Sequence, residues 1–348
     1  MNRLTTALQR TILAGALATS CALSASHALA DDAGYTQRED VQAFITELAT
    51  RHGFDPEQVR SELARAERLP RVIDLITPPS KRGVRSWTRY RARFLDRIRI
   101  ERGLDFWDTY APILQAAEER YGVPAEIIVA IIGVETVYGQ HTGNFETLSA
   151  LATLAFDYPP RAELFRRELE ALFLLAREQG REPSSYAGSY AGAIGYPQFL
   201  PSSVRSYAVD FDGNGRIDFN DTPLDAIGSV ANYLHVHGWQ AHAPVAVRAR
   251  LAADANPGPL VAAGIEPTLN ADALRAAGIE PENAQAPTEP VTLVDLESPG
   301  ADTEYWLGYR NFYVITRYNK SSFYAMSVYE LAQAIRNRRL AAQVSRQD

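Results

Sequence analysis

The 348-residue sequence has a single cysteine, Cys21, so no intrachain disulfide can form and cysteine-based zinc sites are excluded. It also lacks a basic excess, because 35 Lys and Arg residues stand against 42 Asp and Glu, a formal net charge of −7. Nucleic-acid-binding proteins usually carry a strong basic excess, so we expect no nucleic-acid partner. No H-E-x-x-H, G-x-S-x-G or P-loop motif occurs, which leaves zincins, serine hydrolases and NTPases without a starting residue.

The composition is that of a globular protein. Apolar residues make up 46% and charged residues 22% of the chain, which argues against a disordered or fibrous protein. The 17 tyrosines are notable because aromatic rings stack on sugars as readily as they fill cores.

Residues 1–30 resemble an export signal. Arg3 and Arg10 form a positively charged first region, and an apolar stretch follows from Thr11 to Ala25. Ala28-Leu29-Ala30 then offers a cleavage site. The apolar run is shorter than the ~20 residues that a membrane span needs. We therefore predict a periplasmic protein. The alternative is an outer-membrane lipoprotein attached through Cys21, because the preceding residues loosely resemble a lipobox.

The hydrophobic pattern predicts a mainly α-helical chain in several parts. We predict an N-terminal helical region over 31–100 and a helical core over 101–240. Residues 241–303 are rich in Pro and Ala with short alternating runs, which predicts a small β-containing insertion. Residues 304–340 return to aromatic and amphipathic sequence and are predicted to complete the core.

The most informative residue is Glu135, in a predicted helix from Ala125 to about Tyr138 that is apolar nearly all round. A helix without a polar face is buried, and carboxylates are rarely buried without a partner. Gly139 is the predicted stop, which puts Glu135 in the last turn, where burial and the helix dipole both raise a carboxyl pKa. Such an acid suits cleavage of a glycosidic bond. The structural alternative is an ion pair, for example with Arg161.

Three ordered motifs identify the chain as a member of the lytic murein transglycosylase B family by resemblance. They are Gly133-Val134-Glu135-Thr136, the loop Ser189–Ser203 with Ser189-Tyr190-Ala191-Gly192-Ala193, and Ile227–Tyr233. The resemblance runs from about Tyr90 to Tyr329 and implies a lysozyme-like helical core. It also implies cleavage of peptidoglycan between N-acetylmuramic acid and N-acetylglucosamine, with 1,6-anhydromuramoyl ends as products.

The same resemblance implies the site residues. Glu135 would be the only acid/base. The residues implied around the glycan are Tyr90, Arg161, Ser189, Tyr190, Gln198, Phe199, Tyr233, Tyr318, Asn319 and Tyr324. Pro160 departs from the family pattern, in which a second arginine often precedes the one matching Arg161. Peptidoglycan glycan strands are the expected partner, other cell-wall enzymes are a further class, and we expect a monomer.

Residues 210–225 form an EF-hand-like loop. Oxygen ligands fall at positions 1, 3 and 5, followed by glycine at position 6. The predicted Ca²⁺ ligands are Asp210, Asp212, Asn214, Arg216 through its carbonyl, Asp218, Asp221 and Asp225. Position 12 is Asp221, whereas the family resemblance favours closure by Asp225. We expect the ion to be structural rather than catalytic.

Two rival functions stay open at the level of sequence. One is a muramidase that uses water, which requires a second carboxylate near Glu135, with Glu146 and Asp157 as the candidates near it in the sequence. The other is a catalytically inactive peptidoglycan-binding protein. The expected activity is a carbon–oxygen lyase that acts on peptidoglycan.

Overall fold

The computed structural model describes residues 34–79, 83–282 and 285–345. The predicted export signal and Cys21 lie outside the described residues. The chain divides into two compact units between Ala66 and Glu67. The boundaries predicted at 100, 240 and 303 stay predictions.

In the described part of the first unit, residues 34–66, the α-helices are α1 (Glu39–His52) and α2 (Pro56–Arg65). Gly53 ends α1 in the left-handed conformation with φ 66°. Asp55 caps α2 by accepting a hydrogen bond from a backbone N–H, and Pro56 occupies the first helical position. The breaker residues therefore divide the predicted helical stretch into two helices.

The second unit is mainly helical, as predicted. Its helices within the described residues are α3 (Pro70–Ile76), α4 (Trp87–Arg91), α5 (Arg97–Thr109), α6 (Ala111–Tyr121), α7 (Ala125–Thr136), α8 (Thr147–Asp157), α9 (Ala162–Glu178), α10 (Pro201–Tyr207), α11 (Leu224–Val236), α12 (Gly258–Ala262), α13 (Ala271–Ala276), α14 (Arg310–Tyr318) and α15 (Ser322–Val344). None of the helices in the described part of the chain has the length and apolarity that a bilayer crossing requires.

Helix α7 is the centre of this unit, because α5, α6, α11 and α15 all pack against it. Ile128, Ile131 and Ile132 have no solvent exposure. The prediction that the apolar helix is buried is therefore confirmed. An apolar surface on every side is what a helix surrounded by four others requires.

The β-structure of the described residues forms two small antiparallel sheets. Strands β1 (Phe145–Glu146) and β2 (Ala187–Gly188) form the first. The second has the order β4-β3-β6-β5. Its strands are β3 (Ala246–Leu251), β4 (Ile279–Pro281), β5 (Thr292–Leu296) and β6 (Glu304–Gly308). The sheet therefore continues past residue 303, because β6 pairs with both β3 and β5.

Candidate active site

Glu135 lies in the last turn of α7 and keeps partial solvent exposure. Its Oε1 accepts a hydrogen bond of 2.5 Å from the hydroxyl of Tyr324 in α15. Burial raises the pKa of the Glu135 carboxyl from 4.5 to about 7, and the Tyr324 hydrogen bond opposes that rise. The partner of Glu135 is thus a tyrosine, and not the arginine that the ion-pair alternative requires. This leaves a carboxyl that exchanges its proton near neutral pH and is open on one side.

Three tyrosines from different helices surround this carboxyl. Tyr90 belongs to α4, Tyr318 ends α14, and Tyr324 lies in the first turn of α15. Burial raises the pKa of each hydroxyl, and the nearby Glu135 charge raises it further. The rings of Tyr318 and Tyr324 stack with centroids 6.4 Å apart. At neutral pH all three tyrosines are uncharged, so their hydroxyls act as hydrogen-bonding groups in a poorly solvated site.

An aromatic wall continues from Tyr318 towards α11. The ring of Tyr233 lies 4.9 Å from that of Tyr318, and Phe199 lies 5.5 Å from Tyr233. The Tyr233 hydroxyl donates to the backbone carbonyl of Arg317 at 2.7 Å, and the Tyr318 hydroxyl donates to that of Pro197 at 2.6 Å. These hydroxyls are held by backbone carbonyls, and Phe199 and Tyr233 are only 2% and 8% exposed, so the wall is a tightly packed aromatic layer.

The glycine-rich loop that begins at Gly188 folds through its own polar side chains. Ser189 Oγ accepts a hydrogen bond from the Ala193 amide at 3.2 Å. Gln198 has φ 50°, and its Nε2 donates to the carbonyls of Thr142 and Gly195 at 3.0 and 2.9 Å. Both side chains therefore hold the loop together, which leaves the hydroxyl hydrogen of Ser189 and the Oε1 of Gln198 for other partners.

Three predicted glycan contacts are exposed side chains. Arg161 is exposed, and its guanidinium lies 5.1 Å from the ring centroid of Phe165. Tyr190 is 36% exposed, and Asn319 is exposed just after α14. Among the described residues, their ring and ion contacts do not join them to the tyrosines beside Glu135.

The turn that follows Glu135 corrects the predicted end of the helix. α7 ends at Thr136, before the predicted end at Tyr138, because Val137 and Tyr138 have φ values of 51° and 58°. Gly139 follows with φ 88°, so three successive residues are left-handed. The conformation is uncommon for non-glycine residues and is an outlier for a β-branched one. Gly139 indicates a turn in the sequence, but it does not predict the positive φ of the two residues that precede it.

Thr136 and Tyr196 support that turn. The buried Thr136 hydroxyl accepts from the Gly139 amide at 3.0 Å and lies within hydrogen-bond distance of the Tyr196 carbonyl, 3.3 Å away. The Tyr196 ring packs directly against Gly139, because a Cβ on Gly139 would lie 2.3 Å from ring atoms of Tyr196. The sequence signal for these roles is the threonine directly after Glu135 and the glycine three residues later.

Glu168 is a buried carboxylate that sequence analysis missed. It is 5% exposed in α9, and it accepts hydrogen bonds from the Ser202 amide and hydroxyl at 3.0 and 2.7 Å. A carboxylate at a helix N terminus satisfies free amides and is favoured by the helix dipole. Glu168 thus holds the start of α10, just after the glycine-rich loop. Its signal was an acid among the buried apolar positions of α9.

An acidic cluster lies in the loop before α11. Carboxylate oxygens of Asp210, Asp212 and Asp225 lie within 4.8 Å of one another. Asp225 is only 1% exposed, and burial raises its pKa although it accepts hydrogen bonds from the amides of Phe211 and Asp218. Oxygen donors at this spacing suit a hard cation such as Ca²⁺. Of the two acids considered for closing the loop, Asp225 joins the cluster.

The other predicted metal ligands make local turns. Asn214 Oδ1 accepts from the amide of Arg216 at 2.9 Å. Asp218 Oδ1 accepts from the amides of Asn220 and Asp221 at 2.8 and 3.1 Å. Asp221 is exposed and lies outside the cluster.

Comparison with known proteins matches the chain to one enzyme family. The sequence model of the "Transglycosylase SLT domain" matches residues 36–333. The chain is 43% identical over 310 residues to membrane-bound lytic murein transglycosylase B of Escherichia coli, covering 86% of this chain and 84% of the relative.

Solved structures agree with this match. Soluble lytic transglycosylase SltB1 of Pseudomonas aeruginosa has a TM-score of 0.80 and 47% identity, covering 86% of this chain and 99% of SltB1. Escherichia coli Slt35, solved in complex with calcium, has a TM-score of 0.77 and 44% identity over 86% of this chain and 93% of its own. SltB3 of Pseudomonas aeruginosa, solved with NAG-anhNAM-pentapeptide, has a TM-score of 0.74 and 31% identity, covering 86% and 79%. The chain has the lysozyme-like fold of these enzymes and belongs to the lytic murein transglycosylase B family of peptidoglycan lytic transglycosylases.

Proposed function

We propose that this enzyme cleaves the β-1,4 bond between N-acetylmuramic acid and N-acetylglucosamine and leaves 1,6-anhydromuramoyl ends, with Glu135 as the only acid/base. The observation that carries the proposal is the Glu135 carboxyl, hydrogen-bonded to Tyr324 and with a pKa raised to about 7. The complex of SltB3 with NAG-anhNAM-pentapeptide supports the proposed product, because that ligand contains an anhydro sugar.

In the first step, protonated Glu135 donates its proton to the glycosidic oxygen. The bond between C1 of the muramoyl residue and that oxygen breaks, and the N-acetylglucosamine part leaves with a free hydroxyl. The raised pKa leaves a substantial fraction of Glu135 protonated near neutral pH, ready to donate when the substrate binds. The acetamido group of the substrate stabilises the positive charge that develops at C1.

In the second step, O6 of the same muramoyl residue attacks C1 and passes its proton to the Glu135 carboxylate. Tyr324 donates its hydrogen bond to that carboxylate, which stabilises the charged form between the steps. Glu135 ends protonated, so the cycle consumes no water. The aromatic wall formed by Phe199, Tyr233 and Tyr318 excludes water and orients the sugar.

The rival muramidase reaction requires a second carboxylate beside the bond that is cleaved. Glu146 accepts a hydrogen bond from the Ser149 hydroxyl, and Asp157 forms an ion pair of 3.3 Å with Arg68. Both carboxylates therefore have structural partners. This supports a mechanism in which the substrate's own O6 replaces the water that a second carboxylate would activate.

Digestion of murein in H₂¹⁸O tests the reaction. We expect anhydro ends that carry no label, because water does not enter the product. A muramidase would place one ¹⁸O at each new reducing end, and that result in the main product would refute the proposal. A catalytically inactive binding protein would release no soluble product.

The Glu135→Gln variant tests the residue. It keeps the shape of the side chain but has no proton to donate, so activity should fall at least ~10²–10⁴-fold. Glu163→Gln, a change at an 88% exposed side chain, is the matched control and should retain activity.

We further propose that the acidic cluster binds a structural Ca²⁺. Asp210, Asp212 and Asp225 supply carboxylate oxygens, and Asn214 and the Arg216 carbonyl lie in the same loop. The calcium complex of Slt35 supports this assignment. The ion would hold the loop and take no part in proton transfer.

For location and partners, we propose export to the periplasm and action on peptidoglycan strands there. The predicted signal in residues 1–30 supports export, and the membrane-bound E. coli relative supports the alternative of lipid attachment at Cys21. A monomer that also meets other cell-wall enzymes remains our prediction. Labelling cells with radioactive palmitate, with Cys21→Ala as the control, separates the two forms.

A further inference from the structure

The turn after Glu135 is held in a conformation that its sequence disfavours. Val137 and Tyr138 both have positive φ, a strained region for residues other than glycine. Such a turn persists only where the surrounding structure fixes it. The contacts of Tyr138 show what fixes it.

Tyr138 folds back along α7 and fills the space where α7 crosses α5. A Cβ on Gly133 would lie 2.5 Å from the Tyr138 hydroxyl oxygen, and a Cβ on Gly103 of α5 would lie equally close. The Tyr138 ring also lies 5.4 Å from that of Phe106. The two glycines therefore make a slot that the tyrosine occupies.

Two hydrogen bonds join the two sides of this slot, one donated by Tyr138 to α5 and one donated by α5 to α7. The Tyr138 hydroxyl donates to the Arg99 carbonyl at 3.0 Å. Arg99 Nε donates to the Gly133 carbonyl at 3.2 Å, and Asp96 holds the same guanidinium through an ion pair of 2.6 Å. The start of α5 is thereby joined to Gly133 and Tyr138, which lie two residues before and three residues after Glu135.

We propose that Tyr138 is a positioning residue, which locks the last turn of α7 against α5 and so fixes the Glu135 carboxyl against Tyr324. Its hydroxyl hydrogen-bonds to a backbone carbonyl and it acts only through Glu135. This inference rests on the proposed role of Glu135.

Loosening this lock has a consequence at Glu135 itself. Tyr90 of α4, Tyr318 of α14 and Tyr324 of α15 face the carboxyl. A substitution at Tyr138 alters none of these three tyrosines. A mobile last turn admits water, which weakens the desolvation that raises the pKa of Glu135. The protonated form should then be lost at a lower pH.

The test compares Tyr138→Phe with Tyr186→Phe. Tyr186 is 4% exposed, and its hydroxyl donates to Gln179 at 2.7 Å, so the control also loses one largely buried hydrogen bond. We expect Tyr138→Phe to lower kcat about tenfold at unchanged KM, since small displacements of reacting groups have large effects on rate. The alkaline limb of its pH–rate profile should move to lower pH. Tyr186→Phe should keep the wild-type profile with a similar loss of melting temperature.

Gly133→Ala provides a second route to the same state, because the added Cβ displaces the Tyr138 ring. It should shift the alkaline limb in the same direction, although alanine favours the helix more than glycine does. Wild-type pH profiles in both variants, with only the melting temperature lowered, would overturn the positioning role. Glu135→Gln assayed in parallel separates the two hypotheses: if that variant is active, the proposed acid/base fails, whatever Tyr138 does.

Discussion

The raised pKa of Glu135 makes a prediction about stability that is independent of any activity assay. In the folded chain the pKa is about 7, whereas an exposed glutamate has 4.5. Between these values the folded protein holds a proton that the unfolded chain has released. The free energy of unfolding therefore falls as pH rises from about 4.5 to 7, and it is constant with respect to this group at higher pH.

The magnitude follows from ~1.4 kcal/mol for each pKa unit. Ionisation of Glu135 should lower the free energy of unfolding by about 1 kcal/mol near pH 5 and by about 3 kcal/mol near pH 8. The second figure is an upper bound, because partial exposure of Glu135 lets solvent screen the charge. Glu135→Gln removes the titration but keeps an oxygen that accepts from Tyr324.

We therefore expect Glu135→Gln to unfold at a higher temperature than the wild type at both pH values, with an advantage near pH 8 that is about three times the advantage near pH 5 in free energy. Differential scanning calorimetry at the two pH values measures the difference. Glu163→Gln, an exposed change in α9, should give the same difference from wild type at both. If Glu135→Gln differs from wild type by the same amount at both pH values, Glu135 is not desolvated and the reasoning is refuted.

Three further predictions follow from neighbouring contacts. Tyr324→Phe removes a hydrogen bond that lowers the pKa of Glu135, so the alkaline limb of the pH–rate profile should move to higher pH, opposite to Tyr138→Phe. Asp225→Ala should abolish the rise in melting temperature that Ca²⁺, but not Mg²⁺, gives to EDTA-treated wild type; an equal rise in the variant would exclude the cluster as the site. Gly139→Ala should lower both kcat and the melting temperature, because its Cβ would meet the Tyr196 ring; wild-type values would show that the turn tolerates a side chain.

The buried environment of Glu135 could be predicted from the sequence because the apolar residues of α7 themselves indicate that the helix is buried. Apolar side chains on every side require surrounding helices, and a lone acid among them requires a special environment. The same reasoning placed the start of α7 at Ala125, directly after Pro124, since such start signals act locally. Local signals act over a few residues, which is why they suffice here.

The partners of Glu135 could not be derived in that way. Tyr324 is 189 residues away in the sequence, and nothing near it marks a tyrosine that reaches α7. Tyr318 and Tyr324 entered the predicted site through family resemblance alone. The predicted end of α7 was wrong for a related reason. Tertiary contacts hold Val137 and Tyr138 in a conformation that their own propensities oppose.

The EF-hand-like loop (210–225) and the turn after Glu135, treated as separate motifs in the sequence, meet through the backbone of residues 195–196. The Phe219 carbonyl of the loop accepts from the Tyr196 amide at 2.8 Å, and a Cβ on Gly195 would lie 2.2 Å from that carbonyl oxygen. The Tyr196 carbonyl in turn lies 3.3 Å from the Thr136 hydroxyl, directly after Glu135. Each contact involves backbone atoms in a close-packed region, so we expect a displacement of the loop to move the turn after Glu135 as well. A structural ion in this loop would therefore affect the position of Glu135 without touching the substrate.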